Sequence, residues 1–114
     1  MAIPSASGSE AAKLVVYSLT DYTDLTPSND HIWIILNIVL KNNHSSASSF
    51  SLQLTDDGGS TDVWLIESQA LALDETFVWN DRIILHDNTS RLRIYNNSSN
   101  NLHAAVNYID QNWS

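Results

Sequence analysis

The longest hydrophobic run of the chain, residues 31–42 (HIWIILNIVLKN), is apolar at nearly every position. Alternation places one set of side chains on each side of a strand: Ile32, Ile34, Leu36, Ile38 and Leu40 on the first side, and Trp33, Ile35 and Val39 on the second. A helix is the alternative for a run of this length, but its isoleucines and the mid-run Asn37 favour a strand. Because both sides are apolar, we expect this strand in the middle of a sheet.

Shorter segments of similar composition lie on both sides of this run. The pattern predicts strands at residues 13–20, 31–42, 50–55, 61–67, 76–79, 82–85, 91–95 and 102–109. The segment 50–55 (FSLQLT) alternates regularly, which is typical of a half-buried antiparallel strand. We expect its inward side chains to be Phe50, Leu52 and Leu54 and its outward ones to be Ser51, Gln53 and Thr55.

Turn-forming residues separate these segments. The sequence DDGG at 56–59 predicts a hairpin between the strands on either side of it. Residues 21–30 (DYTDLTPSND) are predicted to form a loop. Seven to eight short strands joined by such turns predict an all-β fold, an antiparallel β-sandwich of jelly-roll or immunoglobulin-like type; a closed barrel is the alternative.

The length of 114 residues suits one domain. Residues 1–12 are small, polar and without pattern, so we expect an extended N-terminal arm followed by a single β-sandwich domain at 13–114. The N-terminus has no basic start and no apolar run of signal-peptide length, and we expect a chain made in a cytoplasm.

Composition excludes several classes of partner. The net charge is −8 and there are only five Lys and Arg residues, so we expect no binding to nucleic acid or to an anionic membrane surface. No run is long enough to span a bilayer. The chain has no cysteine, which removes disulfides, thiolate metal sites and cysteine nucleophiles.

No motif for catalysis or for a cofactor is recognisable. The four histidines, His31, His44, His86 and His103, lie in separate segments without metal-binding spacing. Three acidic residues near Gly58, namely Asp56, Asp57 and Asp62, do not match the spacing of a calcium loop, and a hairpin turn is the simpler interpretation. No serine lies in a G-x-S-x-G motif. We expect a non-enzymatic protein without metal or cofactor.

The four tryptophans allow two interpretations. Large aromatic side chains fill cores and protein interfaces, but a row of them on a β-sandwich is also suited to carbohydrate binding. Trp33 and Trp64 each lie on the second side of a strand whose first side is already apolar, which favours an interface or an outer layer. Trp79 and Trp113 complete the set.

The order of motifs over residues 13–110 resembles the small β-sandwich virion proteins of tailed bacteriophages. The similarity lies in an apolar strand that ends at an asparagine (38–42), an alternating strand (50–54), a crossing segment (71–78) and a pair of short strands around a turn (83–94). The sequence departs from that pattern in its last turns, where His86, Asp87 and Asn88 stand in place of a glycine. Asparagine also tolerates the positive φ that such a turn needs.

This resemblance implies a structural protein of the phage particle. The expected role is a capsid decoration or cement protein bound to the major capsid protein or other virion proteins, with homo-oligomer formation in the particle. A tail or head-fibre module and a carbohydrate-binding module are the alternatives. The residues that we expect at interfaces are Met1, Ile3 and Pro4 in the arm, together with Trp33, Trp64 and Trp113.

Overall fold

The computed structural model describes residues 9–43, 46–56, 61–98 and 102–112, and the regular secondary structure of these residues is β-strand except for one short 3-10 turn at Asp87–Thr89. The strands are β1 (Ser9–Leu19), β2 (Tyr22–Leu25), β3 (His31–Lys41), β4 (Ser48–Asp56), β5 (Thr61–Leu71), β6 (Thr76–Trp79), β7 (Ile83–His86), β8 (Arg91–Asn96) and β9 (Leu102–Asn112). The predicted all-β class is confirmed.

The strands form two antiparallel sheets. Sheet I has the order β1-β9-β3-β6, with β7 also paired to β3, and sheet II has the order β2-β8-β4-β5. Chain neighbours such as β1 and β2, or β3 and β4, therefore lie in opposite sheets. This is the strand order of a jelly roll. Strands β6 and β7 both pair with β3 and together take the position of one jelly-roll strand. The predicted sandwich is confirmed, and of its two expected types the jelly roll is present.

The core lies between the sheets, and its fully buried side chains are mainly aliphatic. The side chains that are fully buried include Ile35, Ile38, Leu40, Phe50, Leu52, Leu85, Leu92, Ile94, Leu102 and Val106. Phe50 and Phe77 face each other across the sandwich with ring centroids 4.9 Å apart. Each fully buried side chain of this size stabilises the fold by roughly 1.5–3 kcal/mol, so these residues supply most of the packing energy.

Strand β3 is the centre of sheet I, as predicted, but its two sides are not those of a regular strand. The register with β9 shifts between Ile35 and Asn37, which marks a β-bulge at Leu36. Before the bulge the core receives Ile35, and after it the core receives Ile38 and Leu40. The alternation predicted from the sequence puts Ile35 on one side and Ile38 and Leu40 on the other, and this is wrong, because the one extra residue of the bulge moves the following side chains to the opposite side.

Strand β2 occupies part of the segment that was predicted to be a loop. Tyr22 pairs with Tyr95 and Leu25 pairs with Leu92, and the Leu25 side chain is buried in the core. The loop prediction was wrong for these four residues, because pairing with β8 and burial of Leu25 outweigh the turn propensity of the aspartates around them.

Strand β1 starts earlier than predicted. Its first residue, Ser9, pairs with Asn112, so residues 9–12, which we assigned to the arm, extend β1 along the whole length of β9. The backbone groups of β9 at this end gain hydrogen-bonded partners in this way. Residues 1–8 of the proposed arm lie outside the described residues.

Two buried asparagines form hydrogen bonds with the backbone at the ends of strands. The Asn42 side chain donates from Nδ2 to the carbonyl oxygens of Ser46, at 2.8 Å, and Leu71, at 3.1 Å. The Asn96 side chain donates to the carbonyl oxygen of Leu19 at 2.9 Å and accepts from the backbone N–H of Ser98. These bonds satisfy carbonyl groups where the chain passes between the sheets, and Asn96 thereby fixes the end of β8 relative to β1.

Candidate functional site

The outer surface of sheet I is apolar. One cross-strand row over β1, β9, β3 and β6 consists of Val16, Ala105, Val39 and Val78. Val16 is 69% exposed and Val78 is 52% exposed. A shallow concavity of about 380 Å³ lies beside Val16, Ala105 and Val39, and its other side is lined by Ser18, Lys41 and His103.

A second apolar row lies further along the same surface. It consists of Ala12, Ile109, Ile34 and Ile84, taken in order across β1, β9, β3 and β7. Exposed Leu14 lies between the two rows, beside Asn107 and Asn37, whose amides share a hydrogen bond of 2.8 Å. We call this surface the apolar face and define it by Ala12, Leu14, Val16, Ile34, Val39, Val78, Ile84, Ala105 and Ile109.

Charges border the apolar face but do not enter it. Glu10 lies beyond one end, hydrogen-bonded to Gln111 at 2.7 Å, and Lys41 and His103 lie beyond the other end. Between these ends, the outward side chains of the described strand residues carry no formal charge. The chain has a net charge of −8, so its acidic groups are concentrated on other surfaces.

The outer surface of sheet II has a different character, because three aromatic rings cross it. The Tyr22 and Tyr95 rings have centroids 5.9 Å apart, and the Tyr95 and Trp64 rings have centroids 5.6 Å apart. Tyr22 is 47% exposed and Trp64 is 45% exposed. We call these three residues the aromatic row; it runs from β2 across β8 and over β4 to β5.

Arg93 holds one end of the aromatic row in place. Its guanidinium donates to both carboxylate oxygens of Asp24, at 2.6 and 2.9 Å, and to the Tyr95 hydroxyl at 3.2 Å. It also lies 4.1 Å from the centre of the Tyr22 ring, which is a cation–π contact. The hydrogen bonds with Asp24 raise the pKa of Arg93 above its ordinary value, so the guanidinium stays protonated.

Strand β4 lies between β8 and β5, and side chains of these two neighbours cover its outer side. The outward residues Ser51, Gln53 and Thr55 are buried although the sequence predicted a solvated side. The cause is that longer neighbours lie over them: the Tyr95 hydroxyl donates to Gln53 at 3.4 Å, and Thr55 donates to Asp62 at 2.7 Å. The Tyr95 and Trp64 rings approach each other above β4, with centroids 5.6 Å apart.

The structure separates the tryptophans that the sequence grouped together. Trp64 lies on the outer surface of sheet II, whereas Trp33 and Trp79 point inward and pack against the core. The Trp33 ring lies 4.5 Å from that of Tyr108, so Trp33 is not in the outer layer that we expected. The inward position follows from alternation with Ile35 before the bulge.

Four of the residues predicted at interfaces lie outside the described residues, namely Met1, Ile3, Pro4 and Trp113. Sequence reasoning missed the residues of the apolar face and, in the aromatic row, Tyr22 and Tyr95, whereas Trp64 was among the predicted interface residues. Alternation in β1 gave a signal for the apolar face, since Leu14 and Val16 are as apolar as Val15 and Tyr17 on the other side. The sequence did not place Tyr22 and Tyr95 beside Trp64, because that arrangement depends on the pairing of β2 with β8.

The described residues contain no group of three His, Cys, Asp or Glu side chains that could hold a metal ion. His31 instead contacts Asp110, with Nδ1 2.7 Å from Oδ1. His44 and Asp57 lie outside the described residues. Within the part of the chain that the structure describes, no helix is long and apolar enough to cross a membrane.

Comparison with known proteins gives matches in fold only. No family model and no curated protein matches the sequence. The Drosophila NLP-core, a structure described for pentamer formation and histone binding, matches with a TM-score of 0.55 and 12% identity over 84% of this chain and 96% of that chain. A structure of infectious bursal disease virus, Gx strain, matches with a TM-score of 0.50 and 8% identity over 92% of this chain and 32% of that chain.

A Clostridium thermocellum xylanase 10B structure with CBM22-1 and GH10 modules, complexed with xylohexaose, matches with a TM-score of 0.47 and 11% identity over 93% of this chain and 25% of that chain. A score at this level carries no argument. The first two matches show that the β-sandwich fold of this chain also occurs in a pentamer-forming protein and in a virus structure, and identities this low show the fold alone.

Proposed function

We propose that this chain is a non-enzymatic structural protein of a bacteriophage virion, made in the host cytoplasm and built into the particle as a capsid decoration or cement protein. Its partner is the lattice of the major capsid protein, and copies of the chain also contact one another there. The resemblance of its motifs to small virion proteins supports the phage assignment, and the fold it shares with a virus structure is consistent with it.

The single observation that carries the proposal is the apolar face. Monomeric proteins rarely expose a continuous apolar surface larger than a few hundred square ångströms, and such a surface marks a contact site. Here two apolar rows span five strands of sheet I, with the Asn37 and Asn107 pair between them, and they include side chains that are more than half exposed, such as Val16 and Ile84. Burial against a partner would stabilise the contact by roughly 25 cal/mol for each square ångström of apolar area.

The position of charge supports a contact repeated over a lattice. Two copies that each carry a charge of −8 repel at long range, and the uncharged centre of the apolar face allows close approach with the least repulsion. In a symmetric shell, contacts that are individually weak are multiplied by the number of linked copies. A small subunit with one such face is suited to that arrangement.

The test is binding to empty capsids assembled from the major capsid protein of the same phage. Val78→Asp places a carboxylate in the apolar face, and Val63→Asp is its matched control, because Val63 is also 52% exposed but lies on β5 at the edge of sheet II. We expect occupancy to fall by about tenfold or more with Val78→Asp and to be unchanged with Val63→Asp. Equal occupancy of both variants would exclude the apolar face as the attachment surface.

A tail or head-fibre module is the alternative role, and it uses the same face for a different contact. Copy number distinguishes the two. Quantitative mass spectrometry of purified particles should give a number of copies comparable with that of the major capsid protein if the chain decorates the shell. A small number of copies per particle would assign it to the tail or to a fibre.

A further inference from the structure

The aromatic row lies on sheet II, on the opposite side of the sandwich from the apolar face. It therefore remains available when the apolar face is buried against a capsid. The row combines two exposed rings, Tyr22 and Trp64, with a central ring, Tyr95, that is hydrogen-bonded in place. From this arrangement we propose a binding site that is additional to the proposed structural role: the aromatic row binds a neutral carbohydrate chain.

The spacing of the rings suits a chain of sugars. Successive ring centroids are 5.9 and 5.6 Å apart, close to the length of one pyranose unit, and neighbouring ring planes are tilted by 48° and 37°, so a bound glycan would have to twist along the row. The axial C–H groups of a pyranose form an apolar side that packs on an aromatic ring, whose negative π face attracts them. Tyrosine and tryptophan supply such contact area with little loss of side-chain entropy.

The polar groups around the rings are suited to hydroxyl groups. The Tyr95 hydroxyl and the Gln53 side-chain oxygen lie 3.4 Å apart between the rings. The Asp24 carboxylate lies beside Tyr22, held by two hydrogen bonds from Arg93. These groups are already fixed by their partners, so a ligand would not bear the cost of ordering them. Aromatic side chains with a few fixed polar groups are typical of small-molecule sites.

The charges of the site favour a neutral ligand. Arg93 is neutralised by Asp24, and Arg91 lies 3.9 Å from Asp62. No cation of these pairs is left uncompensated to bind a phosphate, a sulfate or a uronic acid, and the overall charge of −8 repels polyanions. A carbohydrate is the favoured occupant because neutral hydrogen-bonding groups and rings stand together without an uncompensated cation, and a protein partner is one outcome of the test below.

The experiment is a titration of the purified chain, followed by tryptophan fluorescence and by calorimetry. The probes are the neutral hexasaccharides of cellulose, xylan, chitin and starch, with hexagalacturonate as the charged control, each up to about 10 mM. We expect at least one neutral probe to bind and hexagalacturonate not to bind. Trp64→Ala and Tyr22→Ala, at opposite ends of the row, should each weaken binding by about tenfold or more.

The matched control is Val63→Ala, since Val63 precedes Trp64 in β5, is similarly exposed and lies outside the row. It should bind the probes as the unaltered chain does. Tyr22→Ala guards against a Trp64 variant that fails to fold, because Tyr22 lies in a four-residue edge strand. Thermal unfolding curves establish which variants are folded.

Three results would overturn the proposal: no binding of any neutral probe, binding of hexagalacturonate alone, or neutral binding that both ring variants retain. A fourth is that the ring variants bind no sugar yet lose capsid occupancy, which would make the row a protein contact. If Trp64→Ala loses sugar binding but keeps its capsid occupancy, the carbohydrate site is separate from the capsid contact. The test of the apolar face then does not depend on the result for sugar binding.

Discussion

The two outer surfaces of the sandwich are made from the same kind of antiparallel strand, yet they differ in how their side chains are satisfied. On sheet II, the long side chains of β8 bind their neighbours: Arg93 holds Asp24, and Tyr95 bonds to Gln53. On sheet I, side chains such as Val16, Val78 and Ile84 extend into solvent. The side chains of sheet II therefore cover part of its own outer surface, whereas the apolar side chains on the outer surface of sheet I stay exposed.

The difference also shows what folding alone requires. The core between the sheets is filled by inward residues such as Ile38 and Leu102, and outward Val39 and Ala105 lie on the other side of the same strands. In an isolated subunit, polar residues at these outward positions would give about the same stability as the valines do. Their presence is better explained by contact than by stability.

The largest expected effect is on the free energy of unfolding, and it distinguishes the inner side of sheet I from its outer side. Ile38→Ala leaves a cavity at a fully buried position and should lower the free energy of unfolding by about 2–5 kcal/mol. Val16→Ala on the apolar face should change it by no more than about 0.5 kcal/mol. Urea unfolding of the isolated chain measures both. A large loss in Val16→Ala would mean that the apolar face stabilises the subunit, and the argument for a partner would fail.

An intermediate effect is expected for the coupling free energy of hydrogen-bonded side-chain pairs, one on each outer surface. A double-mutant cycle of Asp24→Ala with Arg93→Ala should give a coupling of about 1 kcal/mol, reduced from the value for a charged bond because Asp24 is partly exposed. The neutral pair Asn37 and Asn107 on sheet I should give about 0.5 kcal/mol. Added salt should weaken the first coupling and leave the second unchanged, because only the first depends on charge.

A smaller effect is the pH dependence of folding stability. It concerns the tyrosines that point inward from sheet I, whereas the tyrosines of the aromatic row lie on the outer surface of sheet II. Burial raises the pKa of Tyr17 and of Tyr108 above the ordinary value of 10.0. The folded state thus holds these protons more tightly than the unfolded state, so stability is intact below pH 10 and falls as the pH rises beyond it. Denaturant midpoints between pH 7 and 11 should show this fall, and Tyr17→Phe should reduce it. A slope identical in the variant would exclude Tyr17 as a source.

The smallest expected effect on stability is that of removing the arm. Deletion of residues 1–8 should leave the thermal midpoint unchanged but lower capsid occupancy, if Met1, Ile3 and Pro4 hold a neighbour as predicted. Deletion of residues 1–12 should also lower the midpoint, because residues 9–12 pair with β9. Full occupancy of the shorter deletion would leave attachment to the apolar face alone.

The sequence was sufficient for the fold class, for the central strand and for most strand positions, because hydrophobic alternation records which side of a strand is buried. It failed where tertiary pairing decides. Strand β2 exists through its partner β8, and the bulge at Leu36 arises from the register with β9. The wrong orientation of Trp33 followed directly from that unpredicted bulge.

The candidate sites were harder to predict than the fold. The apolar face joins residues of five strands, and only their order in sheet I brings Val16 beside Ala105 and Val39. The aromatic row likewise joins three strands across a fourth. A sequence shows which residues are apolar or aromatic, but the neighbours in a sheet depend on strand order, which alternation does not encode.

The most direct test of the central claim is a cryo-electron microscopy reconstruction of the intact particle, in which this chain is placed in density. We predict that the outer surface of sheet I, with Val16, Val78 and Ile84, is buried against a neighbouring capsid protein or a second copy, and that Trp64 on sheet II faces solvent. A reconstruction in which sheet I faces solvent and sheet II makes the contact would contradict the proposal.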